Sequence, residues 1–499
     1  MNRAGYCAVA LILAFFICAG SFFLAHTAPN KSTNNLPARI DTLISKYGLE
    51  KSDIAVKVIT LPGDKTVYER NADTSMVIAS NTKLFSSSCA LCKLGPDFKF
   101  TTSLSYDGVI TGNSLQGNLV VWSNGDPNIS GRFYSNNPTA VFEQWADKLN
   151  QSGIKEVRGN LVIDQSAFDR ECIPAAWPKE QLSYWYCAPI SAVSFNDNCV
   201  DISVLTDTKT GKLRYALSPE TKYVNISFKA TLDRKLSANQ LRFSRLPGTN
   251  RINIRGKASP KGIPIKECIT VDNPGLFFGT VLKETLTRKG IAISGEILTT
   301  DEPYKPSPCV QGLGKPSGSI TKIAESATDL VQAMNVVNKR SQNFYAEQIL
   351  KAMAHHYQGK GNTAAGLEII REFLSRELGL EPGSFTISDA SGLARQNRFS
   401  ASQIITLLKY MHGHKYFTAF RDSLNYERWN FSNRESVWTK TGYLRNALAL
   451  SGYIRRSKDD YYAFSVIING FGDSGDEQSN PGRENAENFR SELVWLLQK

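Results

Sequence analysis

The sequence predicts an α+β chain of about three units, because 499 residues exceed one ordinary core at roughly 150 residues per domain. Two further observations carry the expectation. Apolar residues recur at three-to-four spacing near both ends, whereas the middle is a run of short alternating strands broken by Gly and Asn. An apolar fraction of 41%, an aromatic fraction of 10% and the absence of long single-residue runs exclude a disordered or fibrous architecture.

The first residues differ from everything after them. Met1-Asn-Arg3 precedes an uncharged run, Ala4 to Ala25, and a polar segment follows, which is the pattern of a secretory signal over residues 1–28. The run is also long enough to span a bilayer at ~20 residues, so an uncleaved N-terminal anchor is the alternative. Cys18 follows the bulky Ile17 and makes a poor lipid-attachment site.

Leu36 to Gly48 has helical spacing, and Asp53–Thr60 alternates as a half-buried strand that turns through Leu61–Lys65 into Thr66–Arg70. Helical periodicity returns from Ser80 to Leu94. From Phe98 come strands around 108–113, 117–122 and 157–164, with one helix near 139–152. A loop rich in Trp, Tyr and Pro covers 172–189, and residues 200–267 are mostly strands, with a polar turn at Lys209–Lys212. A helix over 274–289, a strand over 291–299 and a Pro/Gly/Ser linker over 303–319 lead to four helices, 326–338, 341–357, 364–377 and 402–411. The end is a strand pair, 446–454 and 461–469, turning at 455–460, with a closing helix over 484–497. No repeat period is visible.

Without the first 28 residues the cysteines are Cys89, Cys92, Cys172, Cys187, Cys199, Cys268 and Cys309, and an odd number leaves at least one thiol free. Cys89 and Cys92 read as a buried helix face, with no second pair or nearby His to make a zinc site. Cys172, Cys187 and Cys199 are close enough in sequence for one disulfide in an oxidising compartment. The net charge of +12, or +11 without the first 28 residues because Arg3 is their only charge, attracts anionic polymers or membrane surfaces. Nucleic acid is excluded as a partner by the lack of a Lys/Arg run, finger spacing or aromatic RNA-binding pattern.

Ser80-Asn-Thr-Lys83 places a hydroxyl and an amine on one helical face, and a neutral lysine there can deprotonate the serine. Taken alone, Ser80 is equally a helix N-cap. Ser152–Lys155 and Ser319–Lys322 share the spacing, so other residues must discriminate. Ser341-Gln-Asn343 opens a helix and Lys440-Thr-Gly442 stands in an apolar strand. S-x-x-K, S-x-N and K-T-G in that order are the signature of penicillin-binding proteins and related β-lactamases. Lys209-Thr-Gly211 is out of order and hydrated, Ser152 sits at a helix end marked by Gly153, and Ser319 lies in a Gly/Ser segment. A Ser/His/Asp hydrolase is poorly supported, since His355, His356, His412 and His414 lie on or beside helices and no G-x-S-x-G turn is present.

Together with Leu94-Gly-Pro-Asp-Phe-Lys-Phe, Asp389-Ala-Ser-Gly-Leu-Ala-Arg, Ala188-Pro-Ile-Ser-Ala-Val-Ser-Phe-Asn-Asp-Asn and Val271-Asp-Asn-Pro, these motifs resemble the class C low-molecular-mass penicillin-binding proteins over residues 36–499. That family comprises serine D-alanyl-D-alanine carboxypeptidases and endopeptidases. The resemblance implies a penicillin-binding, serine β-lactamase-like domain, an antiparallel sheet flanked by helices, interrupted by two β-rich inserted domains. On that basis residues 36–100 and 318–499 form the catalytic domain, 101–170 and 268–317 the first insertion and 171–267 the second. The long separation of Ser80 from Ser341 fits such insertion.

The resemblance also implies roles. Ser80 attacks, Lys83 is its base, Ser341 relays a proton to the leaving amine, and Asn343 holds Lys83 and the substrate amide. A low pKa for Lys83 is expected from a dry cleft and from the like charge of Lys440. Lys440 and Thr441 of the Lys440-Thr441-Gly442 element bind the terminal carboxylate, and the amides of Ser80 and Tyr443 form the oxyanion hole. Asp164 and Arg395 help recognise the substrate side chain. Implied partners are peptidoglycan stem peptides and, as covalent inhibitors, β-lactam antibiotics, in the periplasm or cell envelope with peripheral membrane association; no cofactor or metal is implied. The alternatives are a penicillin-binding sensor with little turnover and a β-lactamase. Three positions depart from the family: Ile78 for Pro, Gln342 for Asp, and Tyr443 for a small residue.

Overall fold

The computed structural model describes residues 35–207, 210–306, 319–426, 437–472 and 480–498. The segment read as a signal or anchor, Cys309, Lys209 and most of the 303–319 linker lie outside them. Among the described residues, no helix is long and apolar enough to cross a membrane.

A six-stranded antiparallel sheet joins the two ends of the chain. Its order is Thr66–Arg70, Asp53–Leu61, Asp460–Asn469, Ala447–Ser457, Val437–Leu444 and Asn425–Tyr426. The central strands are buried along nearly their whole length, as a sheet covered on both faces requires. Helices Leu36–Lys46 and Pro481–Leu497 cover one face through Ile40, Ile44, Phe489 and Leu493, packed on Ile54, Val56 and Val466. The other face meets the largest core, where Thr82–Leu94, Asn343–Gln358, Thr363–Arg376 and Ala401–Gly413 pack together. Cys89 and Cys92 point into that core at Met353 and Met411, as the helix-face reading expects.

Four smaller sheets occupy the middle. Five strands, ordered Ile297–Thr300, Leu161–Asp164, Leu119–Ser123, Lys99–Tyr106 and Thr321–Asp329, pack with helices Ala140–Gln151 and Pro274–Arg288 around Phe142, Phe277 and Phe278. Beside them lie a four-stranded sheet and two three-stranded sheets, Leu213–Ser218, Cys199–Thr206, Ile265–Thr270 and Asn225–Leu232, Arg251–Ala258, Gln240–Arg245.

Several expectations are corrected. The single strand over 157–164 is two, Glu156–Val157 and Leu161–Asp164, in different sheets. The 291–299 strand splits in the same way into Ala292–Ile293 and Ile297–Thr300. Both break where glycines meet across neighbouring chains: a Cβ on Gly159 would stand 2.3 Å from the Gly117 carbonyl oxygen, and one on Gly295 2.4 Å from that of Gly159. The helix expected from 326 begins at Leu330, because residues 321–329 pair antiparallel with Lys99–Tyr106 and complete that sheet's edge. A short helix, Phe417–Ser423, carries no clear period in the sequence. No disulfide joins Cys172, Cys187 or Cys199; all three are free thiols, and Cys268, on the strand beside Cys199–Thr206, donates its thiol to Asp201.

Candidate active site

Ser80 sits in a single 3₁₀ turn, Ala79–Asn81, that runs directly into the helix Thr82–Leu94. The N-cap alternative fails, since the capping position is Asn81 and no side chain caps this helix. Ala79, immediately before Ser80, has φ 48°, a left-handed conformation costly for a residue with a Cβ. The turn is clamped from two sides. Gly392 passes so close that a Cβ there would stand 2.0 Å from the Ala79 carbonyl oxygen, and Asn81 Nδ2 donates to the Lys440 carbonyl at 3.0 Å.

Lys83 is one turn further along and fully buried. Its Nζ is 3.1 Å from Ser80 Oγ, 2.6 Å from Asn343 Oδ1 and 2.5 Å from the Ser391 carbonyl oxygen. The two latter atoms accept hydrogen bonds and cannot donate. A neutral amine has two hydrogens and one lone pair. With both hydrogens directed at Asn343 and Ser391, the lone pair faces the Ser80 hydroxyl, which is the arrangement of a nucleophile and its base.

Burial lowers the Lys83 pKa to about 7, against the opposing pull of the Asp389 and Glu347 carboxyls. The sequence expectation divided this lowering between a dry cleft and Lys440. Desolvation is the cause, and Lys440 Nζ is directed at Ser341 Oγ and the Thr441 carbonyl, each at 2.8 Å. Glu347 is itself buried, which pushes its pKa up to about 8, with the Asp389 charge adding to the rise. Its carboxyl accepts the amides of Ala390 at 3.1 Å and Ser391 at 2.9 Å, anchoring the backbone just ahead of the Ser391 carbonyl that meets Lys83. Asp389 in turn accepts from Trp177, Ser391, Gly392, Ala394 and Asn397.

Ser341 lies between the helices Leu330–Lys339 and Asn343–Gln358 with φ 56°, a second strained non-glycine residue. Its neighbours hold it. Asn343 Nδ2 donates to the Tyr186 carbonyl at 2.9 Å, and Gln342 Nε2 donates to Asp197 Oδ2 at 3.1 Å, where Arg132 also pairs with Asp197. Burial raises the Asp197 pKa, and Arg132 opposes that rise. The departure at Gln342 thereby has a physical reason: an amide can donate to a buried carboxylate and a second carboxylate cannot.

Gly442 belongs to the strand Val437–Leu444, and a Cβ there would stand 2.7 Å from the Ile78 carbonyl oxygen and 3.1 Å from the Ser80 amide nitrogen. Thr441 is half-buried beside it. Tyr443 is 36% exposed and lies under the Arg483 guanidinium, 4.3 Å from the ring centroid, so its bulk is carried toward the C-terminal helix. Ser80, Lys83, Ser341, Asn343 and Lys440 are therefore brought into one group. Arg395 Nη1 donates to the Arg445 carbonyl at 2.7 Å, at the end of the same strand. Asp164 stands apart: it is buried at a strand end and accepts from the amides of Ser166 at 2.9 Å and Tyr304 at 2.8 Å. Glu347, Ser391, Asn81 and Tyr186 were not assigned roles from sequence. Glu347 had a signal, since it stands four residues after Asn343 on the same helical face.

Comparison with known proteins agrees with the motif resemblance. A family model described as the D-Ala-D-Ala carboxypeptidase 3 (S13) family matches residues 36–493. The D-alanyl-D-alanine carboxypeptidase of Actinomadura sp. (strain R39) is 27% identical over 451 residues, covering 86% of this chain and 80% of that protein. The D-alanyl-D-alanine carboxypeptidase DacB of Haemophilus influenzae is 23% identical over 508 residues, 98% of each chain. The crystal structure of penicillin binding protein 4 (dacB) from Haemophilus influenzae superposes with a TM-score of 0.75 at 22% identity, covering 92% of this chain and 99% of that one. The same protein complexed with a β-lactam gives a TM-score of 0.70. The fold is thus the mixed α/β architecture expected from the motifs.

Proposed function

The chain belongs to the D-Ala-D-Ala carboxypeptidase 3 (S13) family, and from that premise we propose that Ser80 is the acylated nucleophile of a serine D-Ala-D-Ala peptidase working on peptidoglycan stem peptides. The observation that carries the assignment is the pair of acceptors, Asn343 Oδ1 and Ser391 O, which occupy both hydrogens of a neutral Lys83.

In this reading Ser80 Oγ attacks the carbonyl of the penultimate D-alanine and passes its proton to Lys83 Nζ. The developing oxyanion is met by the Ser80 and Tyr443 amides. Ser341, hydrogen-bonded to Lys440, conveys a proton to the departing amine, so D-alanine leaves and Ser80 holds the acyl group. Lys440 and Thr441 bind the terminal carboxylate before it leaves. Water then adds to the acyl carbonyl, Ser80 regains its proton, and the shortened peptide is released. A β-lactam acylates Ser80 by the same steps, with its ring amide as a leaving group that stays tethered.

Arg395, at the end of the Lys440 strand, is the candidate for the substrate side chain. Asp164, whose carboxylate is taken up by two backbone amides, is proposed to order the 164–166 and 304 loops. We read 36–100 and 318–499 as the catalytic domain, 101–170 and 268–317 as a first insertion and 171–267 as a second. Work outside the cytoplasm, in the periplasm or cell envelope, follows from the substrate and from the signal-like residues 1–28.

The test is release of D-alanine from a D-Ala-D-Ala-terminated peptide by the purified protein, with Ser80→Ala as control. Equal release by the variant sinks the nucleophile assignment. No release by wild type, with penicillin still acylating Ser80, turns the reading to a sensor. Cross-linked dimers assayed in parallel separate endopeptidase from carboxypeptidase action.

A further inference from the structure

The positive charge of this chain is concentrated in one place. Residues 199–267 contain fourteen lysines and arginines against five carboxylates, a surplus of nine where the whole chain has twelve. Within them the sheet Asn225–Leu232, Arg251–Ala258, Gln240–Arg245 turns one face inward, burying Ile252 and Ile254, with Phe228 and Phe243 packed against the same core.

Register decides what the outer face presents. Lys229 stands directly opposite Arg255, and Arg255 directly opposite Arg242. All three are exposed, so three cations form a row across three strands, with neighbouring Cβ atoms about 5 Å apart. Like charges placed opposite one another destabilise a sheet. Among the described residues no carboxylate comes to any of the three; Lys257, on the same face, is paired with Asp233 at 3.0 Å. The remaining outward positions are Asn225, Ser227, Thr231, Gln240, Asn253 and Ser244, with Arg251, and none is a large apolar side chain. Such a face lacks the apolar groups that insert into a bilayer or bury against a protein core, and has cations for carboxylates and amides and hydroxyls for a hydrated polymer.

We propose that this sheet face binds the anionic peptidoglycan polymer away from the reacting peptide, with Lys229, Arg255 and Arg242 pairing with stem-peptide carboxylates. The proposal rests on the peptidase reading above and adds to it a non-catalytic holding surface. A polyanion neutralises the row, which gives a reason for like charges that cost the free protein stability.

The test is co-sedimentation of the whole protein with insoluble peptidoglycan, for wild type and for the triple variant Lys229→Gln/Arg242→Gln/Arg255→Gln. Expected are a tenfold or greater loss of affinity in the variant, a steep fall with salt for wild type only, and a similar loss for wild type on peptidoglycan whose carboxyls have been amidated. Release of D-alanine from a short soluble peptide should be unchanged, and the thermal midpoint of the variant equal or higher. Equal sedimentation of the two proteins, indifference to amidation, or wild-type binding to phosphatidylglycerol vesicles with none to peptidoglycan overturns the proposal. Absence of D-alanine release from both proteins overturns the peptidase reading and leaves the sedimentation result to decide the surface.

Discussion

Gly442 and Ser80 approach so closely that no side chain fits between them: the position a Gly442 Cβ would take is 3.1 Å from the Ser80 amide nitrogen and 2.7 Å from the Ile78 carbonyl oxygen. Gly442→Ala must push the strand off the nucleophile turn. Displacement by even part of an ångström misaligns the acyl carbonyl, and about 10²-fold in acylation rate is the scale of such an error. The expected outcome is a slowed reaction of Ser80 with a fluorescent penicillin and a far-UV spectrum unchanged from wild type. Acylation within threefold of wild type would contradict the packing argument.

The Lys83 amine must be neutral to accept the Ser80 proton, and its pKa is about 7. Acylation should therefore rise with pH through about 7 and level off above 8, with the rate at pH 6 about a tenth of the plateau. Glu347 and Asp389 face the same amine, and ionised carboxyls there would raise its pKa. Lys83→Arg, charged at all these pH values, should abolish the reaction across the range. A flat wild-type profile from pH 5.5 to 8.5 would remove Lys83 from the role of base.

Arg132 offsets the buried Asp197 carboxylate, and both groups are mostly withdrawn from solvent. Arg132→Met leaves that charge uncompensated, at a cost of about 3 kcal/mol, the low end for a broken buried pair because part of the pair stays wet. The sign with pH is definite. Without Arg132 the folded-state pKa of Asp197 rises further above its unfolded value near 3.9, so the deficit grows as pH increases from about 4. Denaturant midpoints of the two proteins at pH 4 and pH 7 measure it, and equal deficits at both would contradict the assignment.

Glu347 holds the 390–391 peptide with a carboxyl whose raised pKa keeps it largely protonated at neutral pH. Glu347→Gln keeps an acceptor oxygen and should stay within a few fold of wild type in acylation. Glu347→Leu leaves two buried amides unpaired, a loss of about 1–3 kcal/mol. It also loosens the backbone that leads into the Ser391 carbonyl, which meets Lys83, so its acylation pH profile should shift as well as its stability. If Leu and Gln variants share one pH midpoint with wild type, Glu347 is structural only.

The five groups that converge, Ser80, Lys83, Ser341, Asn343 and Lys440, were legible in the sequence because each stands in a short motif whose spacing is local. Helices with a clear apolar period, such as Asn343–Gln358, were legible for the same reason. What was not legible depends on distant partners. The strand Thr321–Asp329 is set by an edge more than 200 residues earlier, and the breaks near Gly159 and Gly295 by a corner where three glycines meet. Ser391 takes part through its carbonyl, which every residue has, so its side chain gave no warning. The Lys83 pKa was expected to fall and does, with burial as its largest cause, whereas the Asp389 and Glu347 carboxyls that oppose the fall lie more than 260 residues away in sequence and gave no warning.

The strand Asp53–Leu61 has as its neighbour Asp460–Asn469, some four hundred residues later in synthesis. The Ser80 turn follows directly from the earlier hairpin, and its clamp, Lys440 with Gly442, is also among the last residues to be made. A chain without its last strands thus has Ser80, Lys83, Asn343 and Ser391 but lacks the clamp that Lys440 and Gly442 place on the Ser80 turn. Closing the site therefore requires the first and last strands to pair, a contact of high sequence separation that makes its assembly a slow, late step of folding.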